Sequence, residues 1–112
     1  MATRMVTDAE FLAFIRGLVA EGLAELEGDD RAWAARRVVE PRTIEVTFPD
    51  PANSVETMWL VTECAPGDPA EHRIVYDPAR VTFGIIEAGP PKSQRPVLVG
   101  LYGDFAETVQ GR

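Results

Sequence analysis

The sequence predicts an α+β fold in which helices pack on an antiparallel β-sheet. Apolar residues recur first at helical spacing, over 7–30, and after Pro41 with the period of two that is typical of strands. The strand-like segments follow one another through short loops rich in Pro, Gly and Asp, so consecutive strands are expected to pair as a meander. With 112 residues, 46% of them hydrophobic, the chain fits one α+β domain covering 1–112.

The clearest element is a long, amphipathic N-terminal helix that begins near Thr7. Thr7 and Glu10 have the spacing of a capping box, which satisfies free amides at a helix start. The apolar residues that follow form a broad stripe, which must be buried. Gly22 lies near the centre of the stripe, where glycine costs about 1 kcal/mol relative to alanine. We expect it to allow close approach of the helix to the sheet, over an aromatic side chain, and we expect Gly28 to end the helix.

A short second helix is predicted up to about Val39, with Asp29 or Asp30 as its N-cap and Pro41 after its end. Its arginines fall late, where positive charge suits the negative end of the helix dipole. Trp33 is expected to anchor this helix to the core.

Roughly five strands are predicted after Pro41. Asp77 and Pro78 are the preferred first two residues of a type I turn, which indicates a hairpin with a strand on either side. The segments expected to form strands are 43–48, 54–64, the two halves of 72–86, and 96–102.

A short C-terminal helix is predicted after the sequence GLYGDF, 100–105. A glycine loop that runs into a helix can bind phosphate. Here Asp104 and Glu107 form an Asp-x-x-Glu variant of the capping box, so Asp104 is already placed to occupy the helix amides. The segment is therefore interpreted as a strand-to-helix corner and not as a phosphate loop.

The strand centres are apolar on both faces of the predicted sheet. Segments such as MWLV, 58–61, and FGII, 83–86, are continuously apolar, although successive side chains of a strand point to opposite faces. The long helix can cover one face. Three arrangements can cover the other: the short helical elements alone, a curled sheet that encloses a pocket, or a second molecule, for which a twofold homodimer is the default.

Charge and composition narrow the function class. The net charge is −7, and 8–30 hold seven acidic residues against one basic residue, whereas 31–42 hold four arginines against one acid. An acidic surface disfavours nucleic acid as a partner. No segment approaches the roughly 20 apolar residues of a membrane span. The single cysteine, Cys64, and the lack of a signal peptide favour the cytoplasm, and the Arg- and Ala-rich composition is typical of a GC-rich bacterial genome.

The sequence contains no strong signature of catalysis, of a cofactor or of a metal. Cys64 and His72 flank a Pro/Gly loop, as a Cys–His nucleophile pair could, but no third orienting residue is identifiable. The adjacent pairs at 63–64 and 71–72 could bind zinc, but neighbours in a strand point to opposite faces. Glu63 and Glu87 lie at ends of apolar strands, where turn positions explain them equally well. No catalytic, cofactor-binding or metal-binding residue is therefore assigned.

These features predict a non-enzymatic, cytoplasmic bacterial interaction protein, with an inhibitor or immunity-type protein as its specific form. Its size, charge and architecture are similar to those of small bacterial immunity proteins, although no motif assigns it to them. The expected partner is a second copy, giving a homodimer, or a heterologous protein. The alternative is a small apolar-ligand-binding domain, or an enzyme, with a pocket in a curled sheet. The predicted interaction or pocket-rim residues are Trp59, Tyr76, Tyr102, Arg36 and Arg37.

Overall fold

A computed structural model describes residues 7–90 and 95–112 and confirms the predicted α+β fold. A long N-terminal helix, a short second helix, five strands and a short C-terminal helix follow one another in the predicted order. The helices are α1 (Asp8–Glu25), α2 (Gly28–Arg37) and α3 (Phe105–Gln110), and the strands are β1 (Val38–Thr47), β2 (Val55–Thr62), β3 (Arg73–Asp77), β4 (Thr82–Glu87) and β5 (Val97–Gly103). Within the described residues, no helix is long and apolar enough to cross a membrane.

Helix α1 begins at the predicted cap but ends before the predicted residue. The hydroxyl of Thr7 accepts a hydrogen bond from the backbone N–H of Glu10 at 3.1 Å, which satisfies one free amide of the first turn. The helix ends at Glu25, and Gly28 is already the first residue of α2. Gly28 has a φ of +56°, so it serves the turn between the two helices.

The predicted close approach at Gly22 is confirmed for the aromatic side chain but not for the sheet. A Cβ atom placed on Gly22 would lie 2.7 Å from both Cβ and Cδ2 of Phe105. Phe105 is the first residue of α3, so α1 packs here against another helix. Any larger residue at position 22 would therefore push α3 away from α1.

The predicted caps of α2 are wrong. Because α2 begins at Gly28, Asp29 and Asp30 lie within its first turn, where their charges suit the helix dipole. The N-cap position is taken by Glu27, whose side chain makes no capping hydrogen bond.

Strand β1 begins earlier than the sequence predicts. It starts at Val38 and contains Pro41, which the sequence places beyond the end of a helix. The register between β1 and β2 shifts between Val38 and Arg42, so the ladder is interrupted where the proline lies. Proline is tolerated within a strand at such an irregularity because its missing N–H is not needed there.

The five strands form the predicted antiparallel meander, and the sheet then closes on itself. Strands β1 to β5 pair in sequence order, each antiparallel to the next. A parallel contact between β1 and β5, with Thr47 opposite Val97, completes a closed barrel. At this contact the backbone N–H of Thr47 donates a hydrogen bond to the carbonyl of Pro96 at 2.9 Å.

Closure of the barrel explains why both faces of the sheet are apolar. One cluster draws its residues only from the strands and their ends, and it fills the barrel interior: Val46, Met58, Leu60, Val75, Ile86 and Leu98, with Ile44, Phe48 and Leu101 packed against it. The other cluster joins the outer face of the sheet to the helices: Ile15, Val19, Leu26, Ala34, Val61, Ile74, Tyr76, Phe83, Phe105, Ala106 and Val109. Of the three arrangements considered, the sheet curls, and its own side chains occupy the interior.

Strand β5 carries two irregularities opposite β4. Phe83 and Gly84 pair with Gly103 and Leu101, so Tyr102 is an extra residue, and a second shift leaves Val99 unpaired in the same way. Both extra side chains are exposed, at 37% and 42%. Gly84 is needed inside the barrel because a Cβ there would lie 2.7 Å from a backbone oxygen of β5.

Candidate functional site

Two of the predicted rim residues, Trp59 and Tyr76, lie beneath the helices. They are register partners on β2 and β3, and the ring of Trp59 lies 5.5 Å from that of Phe11 on α1. Tyr76 is only 2% exposed, and its ring lies 5.0 Å from that of Phe83. Burial raises the pKa of Tyr76, which keeps its phenol protonated. Tyr76 is therefore a core residue and not a rim residue, and neither aromatic ring faces the barrel interior.

The third predicted aromatic residue, Tyr102, is on the surface. It projects from an irregularity of β5, and its ring covers two glycines, lying 3.3 Å from a Cβ position on Gly100 and 3.0 Å from one on Gly111. The structure brings Trp59 and Tyr76 together but does not place Tyr102 on a common rim with them.

Arg37 is committed to an ion pair that fastens α2 to the loop before β3. Its Nε and Nη2 atoms donate to the Glu71 carboxylate at 2.6 Å and 2.9 Å, and its Nη1 donates to the carbonyl of Trp33 at 3.0 Å. Both charged side chains are only about 15% exposed. The hydrogen bond from Arg37 lowers the pKa of Glu71, and the same bond raises the pKa of Arg37.

Trp33 anchors α2 to the cluster that joins the outer face of the sheet to the helices, as predicted. The guanidinium carbons of Arg37 and Arg112 lie 4.7 Å and 4.5 Å from its ring centroid, within the range of a cation–π interaction. Arg112 also donates to Asp30 at 2.8 Å, which links the end of α3 to α2. The contact between positions 30 and 112 could not be predicted from the sequence, because only the packing of the helices brings these positions together.

Arg36 lines a cleft that also contains the cysteine. The cleft has a volume of about 350 Å³ and is lined by Arg36, Arg37, Val39, Glu63, Cys64, Ala65 and Pro66. The Cys64 thiol lies 3.2 Å from the carbonyl oxygen of Glu71, and burial raises its pKa. A protonated thiol is a poor nucleophile. The side chain of His72 lies near Glu87, with its Nε2 atom 3.6 Å from the Glu87 carboxylate.

The residues weighed for zinc are engaged with other groups. The Glu63 carboxylate accepts hydrogen bonds from Arg42 and from the backbone N–H of Cys64, each at 3.0 Å. Over 7–90 and 95–112, no group of three or more His, Cys, Asp or Glu residues is arranged to hold a metal ion.

A groove between α1 and β1 was not anticipated by the sequence. We call it the α1–β1 groove; it measures about 360 Å³ and is lined by Arg16, Val19, Ala20, Leu23, Val38, Val39, Glu40 and Pro41. Its walls are aliphatic, and an exposed ion pair stands on it, with Arg16 Nε 3.0 Å from Glu40 Oε2. This hydrogen bond lowers the pKa of Glu40. The groove could not be predicted because the sequence places Val38 and Val39 in the second helix, whereas they belong to β1.

A smaller cleft lies on the opposite flank of α1. We call it the acidic cleft; it measures about 70 Å³ and is lined by Leu18, Glu21, Gly22, Glu25, Phe83, Asp104 and Phe105. Glu21 and Glu25 form no ion pair with any residue of the described ranges. Phe14, one helical turn before Leu18, is 49% exposed.

No protein-family model, curated protein or solved structure matches this chain.

Proposed function

We propose that the protein is a non-enzymatic, cytoplasmic bacterial interaction module, acting as an inhibitor or immunity-type protein. The α1–β1 groove is the observation that carries the proposal. Solvent-accessible aliphatic grooves are surfaces on which protein partners gain binding energy by burying their own apolar side chains. The groove offers such a surface next to a helix that is exposed along its outer side.

The charged groups of the groove suit recognition better than catalysis. Arg16 and Glu40 neutralise each other, and both are more than half exposed. An exposed ion pair of this kind contributes little to folding, so a partner can replace either half at small cost. Such a pair orients a partner and selects against partners that would leave its charges unmatched.

The partner in this proposal is a second copy or a heterologous protein, and it binds the helix side of the molecule. An uncovered sheet face no longer motivates a partner, because the barrel interior is filled by residues such as Met58 and Leu60, which are fully buried.

The test compares two alanines of α1 that are both exposed, Ala20 in the groove and Ala24 outside its lining. Ala20→Gln would place an amide against the aliphatic wall, which costs about 1–3 kcal/mol if a partner covers it unpaired. We expect the tagged Ala20→Gln protein to recover its partner from the native host at least about fivefold less well than wild type. Ala24→Gln should behave as wild type.

Sedimentation at several concentrations separates the two kinds of partner. A homodimer is identified if the sedimenting mass rises from that of a monomer to twice that value as the protein concentration increases. Ala20→Gln should then need a higher concentration than wild type to reach the doubled mass. A protein that stays monomeric at all concentrations and recovers no stoichiometric partner from its host contradicts the proposal.

A small apolar ligand is the second candidate function, and the volume of the groove favours it. About 360 Å³ lies at the lower end of the range for small-molecule sites. Since side chains occupy the barrel interior, such a ligand would bind between α1 and β1. Native mass spectrometry of protein purified from its host should then show a bound mass that Ala20→Gln reduces; bare protein in every preparation contradicts this second function.

A further inference from the structure

We infer that the partner presents a basic segment that docks on the acidic cleft between α1, β4 and α3, with an arginine or lysine side chain inserted along the cleft. The inference rests on the proposed function, because it specifies the chemistry of the protein partner. It concerns the flank of α1 opposite the α1–β1 groove, so the two sites can be tested separately.

The cleft has an apolar floor of fixed shape. Phe105 and Phe83 form part of it, with ring centroids 5.6 Å apart in an edge-to-face arrangement, and Phe105 is held directly over Gly22. Both phenylalanines are at most 3% exposed, so their positions are set by the core. A partner would bind a preformed surface and would lose little free energy in ordering it.

The rim of the cleft carries negative charge only. Glu21 and Glu25 are one helical turn apart on α1, and Asp104 faces them from the start of α3. No arginine, lysine or histidine lines the cleft within the described residues. A cationic side chain matches this arrangement, because its methylene stem can lie against the half-buried side chain of Leu18 while its charged end meets the carboxylates.

Asp104 is held in place by its role as the N-cap of α3. Its Oδ1 atom accepts a hydrogen bond from the backbone N–H of Glu107 at 2.8 Å, and the Glu107 carboxylate in turn accepts one from the backbone N–H of Asp104 at 3.4 Å. The cap therefore fixes the position of one carboxylate of the acidic rim.

The exposed ring of Phe14 extends the apolar surface along α1. Its ring centroid lies 6.2 Å from that of Phe11 and 6.3 Å from that of Tyr76, and these contacts hold one side of the ring while nearly half of the residue remains accessible. A basic residue one turn along a docked segment could stack on this ring.

Charge complementarity favours a basic partner over a second copy. The net charge of −7 opposes approach of two identical acidic flanks. The cleft volume of about 70 Å³ is far below that of small-molecule sites but sufficient for one extended side chain of a larger partner.

The test uses a defined probe, a synthetic amphipathic peptide of about 15 residues with arginine and leucine at helical spacing. Its affinity for the full-length protein is measured by fluorescence anisotropy at about 0.15 M salt, where only close charge pairs act strongly. Glu21→Gln/Glu25→Gln should weaken binding about tenfold. Phe14→Ala should weaken it about threefold or more, through lost stacking.

The matched control changes the same net charge elsewhere. Glu27 and Asp29 are both exposed near the α1–α2 turn and do not line the cleft. Glu27→Gln/Asp29→Asn should therefore change the affinity by less than about twofold. Circular dichroism should show the same fold for every variant.

Backbone amide shifts map where the peptide binds. Shifts at Leu18, Glu25 and Phe105 support the inference. Equal weakening by both double variants overturns it, because binding would then depend on net charge alone. Absence of peptide binding also overturns it, as does self-association that the cleft variant abolishes. If the peptide shifts only the amides of Val38 and Ala20, it binds in the α1–β1 groove. The inference that the acidic cleft is the binding site is then wrong, while the proposed interaction function keeps its support.

Discussion

The barrel interior and the layer of helices on its outer face are built in different ways. Aliphatic side chains from all five strands dominate the interior, and Met58, Leu60 and Val75 are completely buried there. The helix layer contains most of the aromatic residues and is fastened by individual long-range contacts, such as Gly22 with Phe105 and Arg37 with Glu71.

The barrel interior and the helix layer should therefore respond differently to substitution. Many interchangeable apolar contacts hold the interior, so a swap that conserves volume should be tolerated. The helix layer depends on a few contacts between specific partners, so removing one partner should affect a defined part of the molecule. The two proposed binding surfaces both lie in this layer.

The largest expected effects come from truncating one core residue in each region. Leu60→Ala in the interior and Phe105→Ala in the helix layer should each lower the free energy of unfolding by about 3–4 kcal/mol. We expect Leu60→Ala to lower hydrogen-exchange protection throughout the chain. Phe105→Ala should lower it most in α3 and in the second half of α1, because Phe105 joins these two helices.

Leu60→Met serves as the volume-conserving control and should cost less than about 1.5 kcal/mol. Equal loss of protection in the barrel and in α3 on Phe105→Ala would show that the two regions unfold as one unit.

An intermediate effect is expected where α1 meets α3. Gly22→Ala gains about 1 kcal/mol of helix propensity but forces a Cβ to within 2.7 Å of the Phe105 side chain, so a net loss of about 1 kcal/mol is expected. In the Phe105→Ala background the ring atoms are absent and only the close contact with the Cβ of residue 105 remains, so Gly22→Ala should cost less than it does in the wild type. Urea unfolding of the four proteins measures this coupling. Additive changes would show that the two helices adjust independently.

The smallest effect is expected from the ion pair that fastens α2. Glu71→Gln should lower the free energy of unfolding at pH 7 by about 1 kcal/mol, after allowance for solvent screening. Because the pKa of Glu71 is lowered in the folded protein, its contribution is present above the unfolded pKa of about 4.5 and is lost as the pH falls through the folded value. Glu71→Gln should therefore flatten the decline in stability below about pH 4.5.

The exposed carboxylate of Glu45 on β1 provides the control for this measurement. Glu45→Gln should leave the pH dependence of urea unfolding close to that of wild type. An acid-induced loss of stability that is as steep in Glu71→Gln as in wild type would exclude the Arg37–Glu71 pair as its source.

The elements that local sequence signals define were predictable. The Thr7 cap, the hairpin turn at Asp77 and the capping box at Asp104 each depend on residues within four positions of one another, and all three lie where expected. The start of β1 was not predictable in this way. Pro41 normally excludes a central strand, and only the register shift opposite β2 makes room for it.

The closure of the barrel and the candidate sites depend on contacts between distant positions. The sequence required both sheet faces to be covered but could not show that Thr47 meets Val97. For the same reason Tyr76 could not be assigned to the core, since Phe11 and Phe14 cover it from another element. The acidic character of α1 could be predicted from the sequence. That Asp104 lines the same cleft as Glu21 and Glu25 could not.

The two irregularities of β5 have a consequence for solubility. The segment from Val97 to Gly103 carries no charge, and within the described part of the chain it pairs with β4 on one side and with β1 only at Val97. A straight strand of this composition would be a template for intermolecular sheet growth. The extra residues Val99 and Tyr102 coil the strand and interrupt its regular ladder. The irregular shape that they give to β5 therefore disfavours aggregation at this uncharged edge. Many other proteins protect such an edge with a charged lysine side chain.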